Sequence, residues 1–207
     1  DGSSAAQASF RSRALENLRD MHARSDMTQE SVAMILSILA LILDEPSILP
    51  AATQKRGLDL IVALLEHTTD GSVGITPTAT IDAASAIAHL LDGARFDSPS
   101  DSPSANLTLA LGLLSRAMLE GGFDGVTTTT RSHATRSGNL LEVGARRDEA
   151  QYLTSVEVGS AFLELDTSLQ TAVGVDPATS LVVRLSTSDV DIHGTSHLPA
   201  ALPSSRA

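Results

Sequence analysis

Residues 121–137 read Gly-Gly-Phe-Asp-Gly-Val-Thr-Thr-Thr-Thr-Arg-Ser-His-Ala-Thr-Arg-Ser, and the hydrophobic pattern of the chain changes its period across them. Before this stretch, apolar residues recur at helical spacing in long segments rich in Leu, Ile and Ala. After it, short runs such as residues 152–158 and 181–185 alternate as strands do. The pattern predicts an α+β fold, in which an N-terminal bundle of about five helices precedes a small, mostly antiparallel sheet or partial sandwich.

Capping residues and prolines mark the predicted helices. Thr28 and Thr76 stand where N-caps belong, Pro77 and Pro103 follow at first helical positions, and Gly93 is placed to close a helix. The predicted helices cover residues 4–24, 29–44, 50–68, 77–93 and 103–121.

The first two helices carry the apolar faces that the pattern assigns to the core. In the first, Phe10, Ala14, Leu18 and Met21 share one face. The second is apolar nearly all round, because residues 34, 38 and 41 add to a full stripe at positions 32, 35, 36, 39, 42 and 43. A helix of this kind is expected to be surrounded on most of its sides.

The same pattern divides the chain into four parts. We predict a helical subdomain over residues 1–121, a linker over 122–137, a β subdomain over 138–193 and a flexible tail over 194–207. Strands are expected at residues 139–143, 152–158, 160–165, 181–185 and 190–192. Five short strands make a thin sheet, so the β subdomain is expected to be incomplete, and to pack on the helices or pair with strands outside this chain.

Composition excludes several functional classes. The chain has 207 residues, of which 42% are hydrophobic and 2% aromatic, and its formal net charge is −11. Such an acidic chain is unsuited to nucleic acid or to an anionic membrane surface. The absence of cysteine excludes disulfides, thiolate metal sites and a cysteine nucleophile. The longest apolar run, residues 32–43, is too short to span a membrane, which takes about 20 residues. Because the chain starts at Asp1, it is expected to be a piece or a processed product of something longer.

No catalytic, metal or cofactor signature stands out. The sequence has no Gly-x-Ser-x-Gly elbow, no His-Glu-x-x-His helix, no P-loop and no Gly-x-Gly-x-x-Gly fingerprint. His193 and His197 are four residues apart, but Gly194 and Pro199 disfavour the helix that would align them as metal ligands. The acidic residues at 97–101 and 189–191 lack the ligand number of a calcium loop. Two further histidines, at positions 67 and 89, fall late in helices, where an imidazole complements terminal carbonyls. We therefore predict no catalytic residue, cofactor or metal.

One modification site is predicted. Asn106-Leu107-Thr108 is a formal N-glycosylation sequon near the start of the fifth helix. A glycan on Asn106 would place the protein outside the cell.

Four short segments of the sequence resemble a known protein family. They are residues 49–54 (Leu-Pro-Ala-Ala-Thr-Gln), 75–80 (Ile-Thr-Pro-Thr-Ala-Thr), 158–165 (Val-Gly-Ser-Ala-Phe-Leu-Glu-Leu) and 181–186 (Leu-Val-Val-Arg-Leu-Ser). With the helical block before them, they resemble the GAIN-type region of polycystin-like, REJ-bearing and adhesion-receptor proteins. The resemblance implies a helical subdomain followed by a β-sandwich subdomain that ends at a proteolysis site.

The cleavage motif of that family is missing here. The family cuts after His-Leu and before Thr or Ser, in a segment rich in Cys and Trp. In this chain His197-Leu198 is followed by Pro199 and His89-Leu90 by Leu91, neither of which has a hydroxyl nucleophile, and there is no Cys or Trp. The resemblance thus implies a GAIN-like region without self-cleavage.

The sequence leaves three functional hypotheses. We favour a non-enzymatic structural module of a large extracellular or cell-surface assembly, whose partners are neighbouring domains of the same polypeptide or other protein subunits. The alternative is an intracellular helical adaptor that binds a partner helix in a groove between its own helices. An enzyme of unrecognised type is the third, and it would need polar groups that converge in a pocket.

Overall fold

In the described part of the chain, five α-helices precede five β-strands. The structure is a computed structural model, and it describes residues 2–69, 73–93, 103–120, 125–149, 152–153, 155–158, 161–164 and 180–188. The helices are α1 (Gly2–Arg24), α2 (Gln29–Ile42), α3 (Ala51–Thr69), α4 (Pro77–Gly93) and α5 (Pro103–Glu120), with a short 3-10 helix at Pro46–Ile48. The strands are β1 (Thr127–Arg131), β2 (Leu141–Glu149), β3 (Ser155–Val158), β4 (Ala161–Glu164) and β5 (Ser180–Ser188). The predicted α+β class, a helical bundle followed by a small antiparallel sheet, is confirmed.

Side-chain caps fix two of the helix starts. The Ser31 backbone N–H donates to the Thr28 hydroxyl at 3.2 Å, and the Thr28 N–H donates to the Ser31 hydroxyl at 2.8 Å, which closes a capping box at the start of α2. At α4 the Ala79 N–H donates to the Thr76 hydroxyl at 3.1 Å, and Pro77 takes the first helical position. Both starts lie where the sequence places them, because a cap is decided within one turn.

Helix α4 lies at the centre of the molecule. It contacts α2, α3 and α5 as well as strands β1 and β2. Its buried side chains are mostly small, which lets these neighbours approach closely. The closest approach is at Gly93, where a Cβ atom would lie 2.1 Å from Cγ of Pro46. The buried alanines of α4 are Ala79, Ala83, Ala84, Ala86 and Ala88.

The strands form two layers beyond the helices. Strand β2 lies between β1 and β5 in an antiparallel sheet, with Thr130 opposite Val143 and Val143 opposite Ser186. Leu141 and Val143 of β2 belong to the same buried cluster as the helices, so one face of this sheet packs on the bundle. Strands β3 and β4 pair as a hairpin, in which Val158 lies opposite Ala161.

The hairpin covers the second face of the sheet. Val156 and Val158 of β3, with the buried Leu153 just before it, pack against Val183 and Leu185 of β5. The approach is closest at Gly144 of β2, where an added Cβ would lie 2.1 Å from Cγ2 of Val158. The described residues therefore form three layers in the order helices, sheet and hairpin.

The β region differs in places from the expectation. Strand β1 lies inside residues 122–137, which the sequence marks as a linker, and β2 continues six residues past the expected end at 143. The strand expected at 190–192 and the tail at 194–207 lie outside the described residues. How the chain divides into subdomains stays a prediction.

Gly144 and Gly112 form a matched pair for a test of the layer contact. Gly144→Ala is expected to lower the free energy of unfolding by about 1–3 kcal/mol, since Val158 must shift to admit the methyl group. In α5, a Cβ at Gly112 meets only Arg184 Nη1 at 3.5 Å, so Gly112→Ala is expected to raise it by up to about 1 kcal/mol through helix propensity. Urea unfolding of both variants measures this. Equal effects of the two changes would contradict the close approach of β2 and β3.

Candidate functional site

An apolar groove runs along the surface between α1 and α2. We call it the α1–α2 groove. Its lining comes from two turns of α1 and the second half of α2, and consists of Ala6, Gln7, Phe10, Arg11, Ala14, Ile38, Leu41 and Ile42. Most of these side chains are apolar, and the largest of them face solvent. The groove is therefore a surface on which apolar contact with another molecule is possible.

The surface along and beside the groove exposes more apolar side chains than the sequence predicts. Phe10 is 73% exposed and Leu41 is 69% exposed, and Met34, one turn before Ile38 on α2, is 47% exposed. The hydrophobic pattern places Phe10 on the core face of α1 and predicts that α2 is surrounded on most of its sides. Of that face of α1, Leu18 is buried and Ala14 and Met21 pack against the core, as does the buried Leu15, so Phe10 is the residue that departs from the prediction. Helical periodicity identifies an apolar face, but it does not show whether the described chain covers that face.

Arg11 fixes one wall of the groove against the other. Its Nη1 donates to the backbone carbonyls of Ile42 at 2.7 Å and Leu41 at 3.3 Å, and it also contacts the Asp44 carboxylate. The last carbonyls of a helix have no partner within the helix, and a cation is favoured beside them. Arg11 therefore closes the C-terminal end of α2 and holds α1 alongside it.

Four charged side chains link the groove to the sheet. Asp44 and Glu45, which follow α2, each pair with both Arg11 and Arg136. In this network Arg136 Nη1 lies 2.7 Å from Glu45 Oε1. Arg136 lies in the connection between β1 and β2, so this charge network ties α1, the end of α2 and the sheet together.

A polar stripe on α4 receives the β1–β2 connection. Asp82, Ser85, His89 and Asp92 follow one another at spacings of three, four and three residues, which places them on one helix face. The His133 backbone N–H donates to the Ser85 hydroxyl at 2.9 Å. Asp92 lies one helical turn past His89, and its Oδ1 accepts a hydrogen bond from the Asn139 amide at 2.6 Å. The stripe fastens residues 132–139 to the helix.

The stripe is built for attachment more than for nucleophilic chemistry. The Ser85 hydroxyl donates to the Ile81 carbonyl at 2.8 Å while it accepts from His133, so both of its hydrogen-bonding functions are engaged with backbone. A serine nucleophile needs its proton directed at a base. His89 is 7% exposed, and its Nδ1 has no hydrogen-bond partner among the described residues.

The surroundings of the stripe shift three pKa values. Burial lowers the pKa of His89, and the nearby Asp44 and Asp92 only partly oppose this. Burial raises the pKa of Asp82, against the opposing effects of His133 and a hydrogen bond from Ser37. Burial also works to raise the pKa of Asp92, but hydrogen bonds that include those from residues 135, 137 and 139 outweigh it, and the pKa is lowered. The stripe therefore favours a neutral His89 and a charged Asp92.

The predicted glycosylation residue lies on α5. Asn106 is half-buried, and its Nδ2 donates to Asp59 Oδ1 on α3 at 3.3 Å. A glycan on this nitrogen would replace one of its two hydrogens, so the contact with Asp59 would have to use the other. Modification of Asn106 stays a prediction.

The residues that the sequence analysis weighed as metal ligands, which are His193, His197 and the acidic residues at 97–101 and 189–191, lie outside the part of the chain that the structure describes. His67, expected to complement the end of α3, stands beside His22 of α1 with ring centroids 5.4 Å apart. Among the residues that can be described, no three His, Asp or Glu side chains are grouped as metal ligands. In the same part of the chain, no helix is long and apolar enough to cross a membrane.

Comparisons with protein-family models, with curated proteins and with solved structures found no match to this chain. The function is therefore argued from the chain's own residues. The groove residues were missed as a site by sequence reasoning because Phe10 and Leu41 carry the same signal as core residues. Arg11, Asp44 and Arg136 gave no local signal, since they meet only in the folded chain.

Two histidines with lowered pKa values, His89 and His22, predict a loss of stability on acidification. In the unfolded chain an imidazole takes up a proton near pH 6.5, whereas burial moves the pKa of folded His89 below that value. As pH falls through 6.5, the unfolded chain therefore binds more protons and the free energy of unfolding decreases, until pH drops below the folded pKa. We expect the urea midpoint of the wild type to fall between about pH 7.5 and about pH 5.5, and to fall less in His89→Gln.

His22→Gln is the parallel variant for this experiment. Burial and the neighbouring His67 lower the pKa of His22 too. The urea midpoint of the His22→Gln/His89→Gln double variant should therefore depend least on pH. The raised pKa of Asp82 acts in the opposite sense, adding stability as pH falls through its folded value, which lies above 3.8. The urea midpoint of each variant as a function of pH is therefore compared with that of the wild type, and not with a midpoint that is independent of pH. A His89→Gln profile as steep as that of the wild type would contradict the buried neutral imidazole.

Proposed function

We propose that this chain is a non-enzymatic structural and interaction module of a larger extracellular or cell-surface assembly, GAIN-like but without self-cleavage. In this proposal the α1–α2 groove holds a neighbouring domain of the same polypeptide or another protein subunit. The observation that carries the proposal is the open apolar strip on α2, formed by Met34, Ile38 and Leu41.

The strip belongs to a helix with the composition of a buried one. Within the fourteen residues of α2, Glu30 is the only charged side chain. One side of α2 is buried by the bundle, through Val32, Ile35 and Leu39, while Met34 and Leu41 stay exposed. Contiguous exposed apolar surface of this kind is typical of interaction sites. A surface that takes a protein partner accounts for both the composition of α2 and its exposure.

The attachment of the sheet to the bundle supports the structural part of the proposal. A module that holds its neighbours in a fixed relation must itself be rigid. Here α4 shares its core with β2, and the Asp44–Glu45 pair joins the groove wall to the β1–β2 connection through Arg11 and Arg136. A partner bound in the groove is thus connected to the sheet by direct contacts.

The location of the assembly rests on two sequence features. The sequon at Asn106 and the GAIN resemblance favour the extracellular side, and the net charge of −11 favours protein partners over nucleic acid or anionic membrane. The same groove also fits the alternative, an intracellular adaptor that binds a partner helix. Peptide mass spectrometry of Asn106 in the native protein distinguishes them, because a glycan there excludes the intracellular adaptor.

Met34 reports whether the apolar strip on α2 is covered in the assembly. In the isolated chain, peroxide should oxidise Met34 quickly, since it is 47% exposed, and Met118 slowly, since it is 6% exposed. In the full-length protein or complex purified from its native source, we expect Met34 oxidation to slow at least about threefold while Met118 stays slow. Peptide mass spectrometry of the two methionines measures both rates.

Met118 is the internal control for peroxide access and for local unfolding. If Met34 reacts at the same rate in the isolated chain and in the native assembly, then nothing covers the strip and the proposed function is wrong. If Met118 accelerates together with Met34, the protein has unfolded under the conditions used, and the comparison is repeated at lower peroxide.

A further inference from the structure

We propose that His22 and His67 form a binding site for a divalent transition-metal ion of the Zn²⁺ type, between the last turns of α1 and α3. The site is separate from the strip on α2 that carries the proposed function. Three observations support it: the distance between the two imidazoles, a buried nitrogen of His22 without a partner, and the helix ends at which both residues lie. The sequence predicts no metal because the two residues meet only through the packing of α1 on α3.

The separation of the two rings fits a shared metal ion. Their centroids lie 5.4 Å apart, and the ring planes are inclined by 57°. An ion bound by an imidazole nitrogen at about 2.0–2.1 Å lies about 3.2 Å from the centre of that ring. Two imidazoles that bind one ion at a tetrahedral angle therefore have centroids about 5.2 Å apart. Neither helix has to move to bring both rings to one ion.

One ring nitrogen of His22 lacks a partner. Its Nε2 is buried and makes no hydrogen bond with the described residues. A buried polar atom without a partner costs free energy, and a bound metal ion would provide that partner. His67 needs only one of its two nitrogens for a metal, so a further contact of this side chain is compatible with binding and would orient the ring.

The surroundings of His22 favour the form of imidazole that binds metal. Metal binds the neutral ring, and a proton on the same nitrogen competes with it. Burial lowers the pKa of His22, and the neighbouring His67 lowers it further, since two imidazolium charges at this distance repel each other. At pH 7 and above, protons therefore compete little with a metal ion at His22.

The ends of both helices favour a cation at this position. His22 lies in the last turn of α1, which ends at Arg24, and His67 lies in the last turn of α3, which ends at Thr69. The carboxyl end of a helix carries about half a negative elementary charge, so two such ends side by side attract a cation. Arg24 is exposed and pairs with Asp20 at 3.7 Å. The cation between the two rings would be the metal ion.

The donor atoms select a transition metal over Ca²⁺ and Mg²⁺. Imidazole nitrogen suits Zn²⁺, Cu²⁺ and Ni²⁺, whereas Ca²⁺ and Mg²⁺ take oxygen ligands. Among the described residues, no third His, Asp or Glu completes the pair. The pair therefore supplies two ligands and water the others, so binding is expected to be weaker than at the closed four-ligand sites of structural zinc.

A bound ion would fasten α1 to α3. Elsewhere along these helices, the hydroxyls of Ser12 and Thr53 lie 3.3 Å apart. Arg56 also pairs with Glu16, but both side chains are largely exposed, and such pairs contribute little. Metal at the histidine pair would thus add a strong link between the two helices. Because α1 forms one wall of the α1–α2 groove, the same link would hold that wall in place.

Urea unfolding with and without metal tests the site. The urea midpoint of the full chain is measured by helical ellipticity at about pH 7.5, in about 0.2 mM Zn²⁺, in the same concentration of Mg²⁺, and in EDTA. A ligand that binds the folded chain more tightly than the unfolded chain raises the midpoint. We expect a rise in Zn²⁺ and none in Mg²⁺. A midpoint that Zn²⁺ leaves unchanged or lowers would overturn the proposal.

His22→Gln and His67→Gln are each expected to lose the rise caused by Zn²⁺, because one imidazole alone binds weakly. Each variant is compared with itself in EDTA, so any change in stability caused by the substitution cancels. His133→Gln is the matched control, since His133 is exposed and lies in the β1–β2 connection. It should keep the full rise. A rise that persists in either single variant, or that is lost in His133→Gln, would place the metal elsewhere and overturn the proposal.

Electron paramagnetic resonance of Cu²⁺ reports the ligands themselves, independently of stability. Cu²⁺ binds nitrogen sites more tightly than the other divalent first-row ions do. With an equimolar amount of Cu²⁺, we expect the wild-type spectrum to show coupling to two imidazole nitrogens, and each single variant to lose it. Identical spectra for the wild type and His22→Gln would overturn the site. The proposed function survives that result, because it fails only if Met34 is uncovered in the native assembly.

Discussion

The close packing around α4 is the constraint on which the rest of the structure depends. Its alanines allow α2, α3 and α5 to approach on one side and β1 and β2 on the other, and Gly93 leaves room for Pro46. Larger side chains at these positions would force the layers apart, since well-packed cores resist added volume. With α4 buried on most sides, the helices and the sheet are built around one shared element.

That position of α4 also sets the polar contacts. Its stripe receives the β1–β2 connection through Ser85 and Asp92, and this brings Arg136 to Asp44 and Glu45 beside Arg11. Surface ion pairs each contribute little, about 0–1 kcal/mol, so the network orients the elements more than it stabilises them. In the folded structure these contacts depend on one another: packing holds α4, α4 holds the β1–β2 connection, and the connection brings Arg136 to the charges beside the groove.

Local signals predicted the helices well and the site poorly. Thr28, Thr76 and Pro77 act within one turn, so the sequence alone places the starts of α2 and α4. The sequence predicts a linker at β1 because a run of threonines has no apolar alternation, and in this strand only Thr130 is buried. The periodicity predicts a core position for Phe10 because it reports that a face is apolar, whereas what covers that face depends on the tertiary arrangement.

The most direct test of this account is urea unfolding followed by two signals at once. Tyr152 is the only tyrosine and the chain has no tryptophan, so tyrosine emission reports on the turn between β2 and β3, while ellipticity at the helical wavelength reports on the bundle. If α4 joins helices and sheet into one cooperative unit, the two transitions coincide in midpoint and slope. An emission transition at clearly lower urea than the helical one would contradict it, because the sheet would then unfold independently of the bundle.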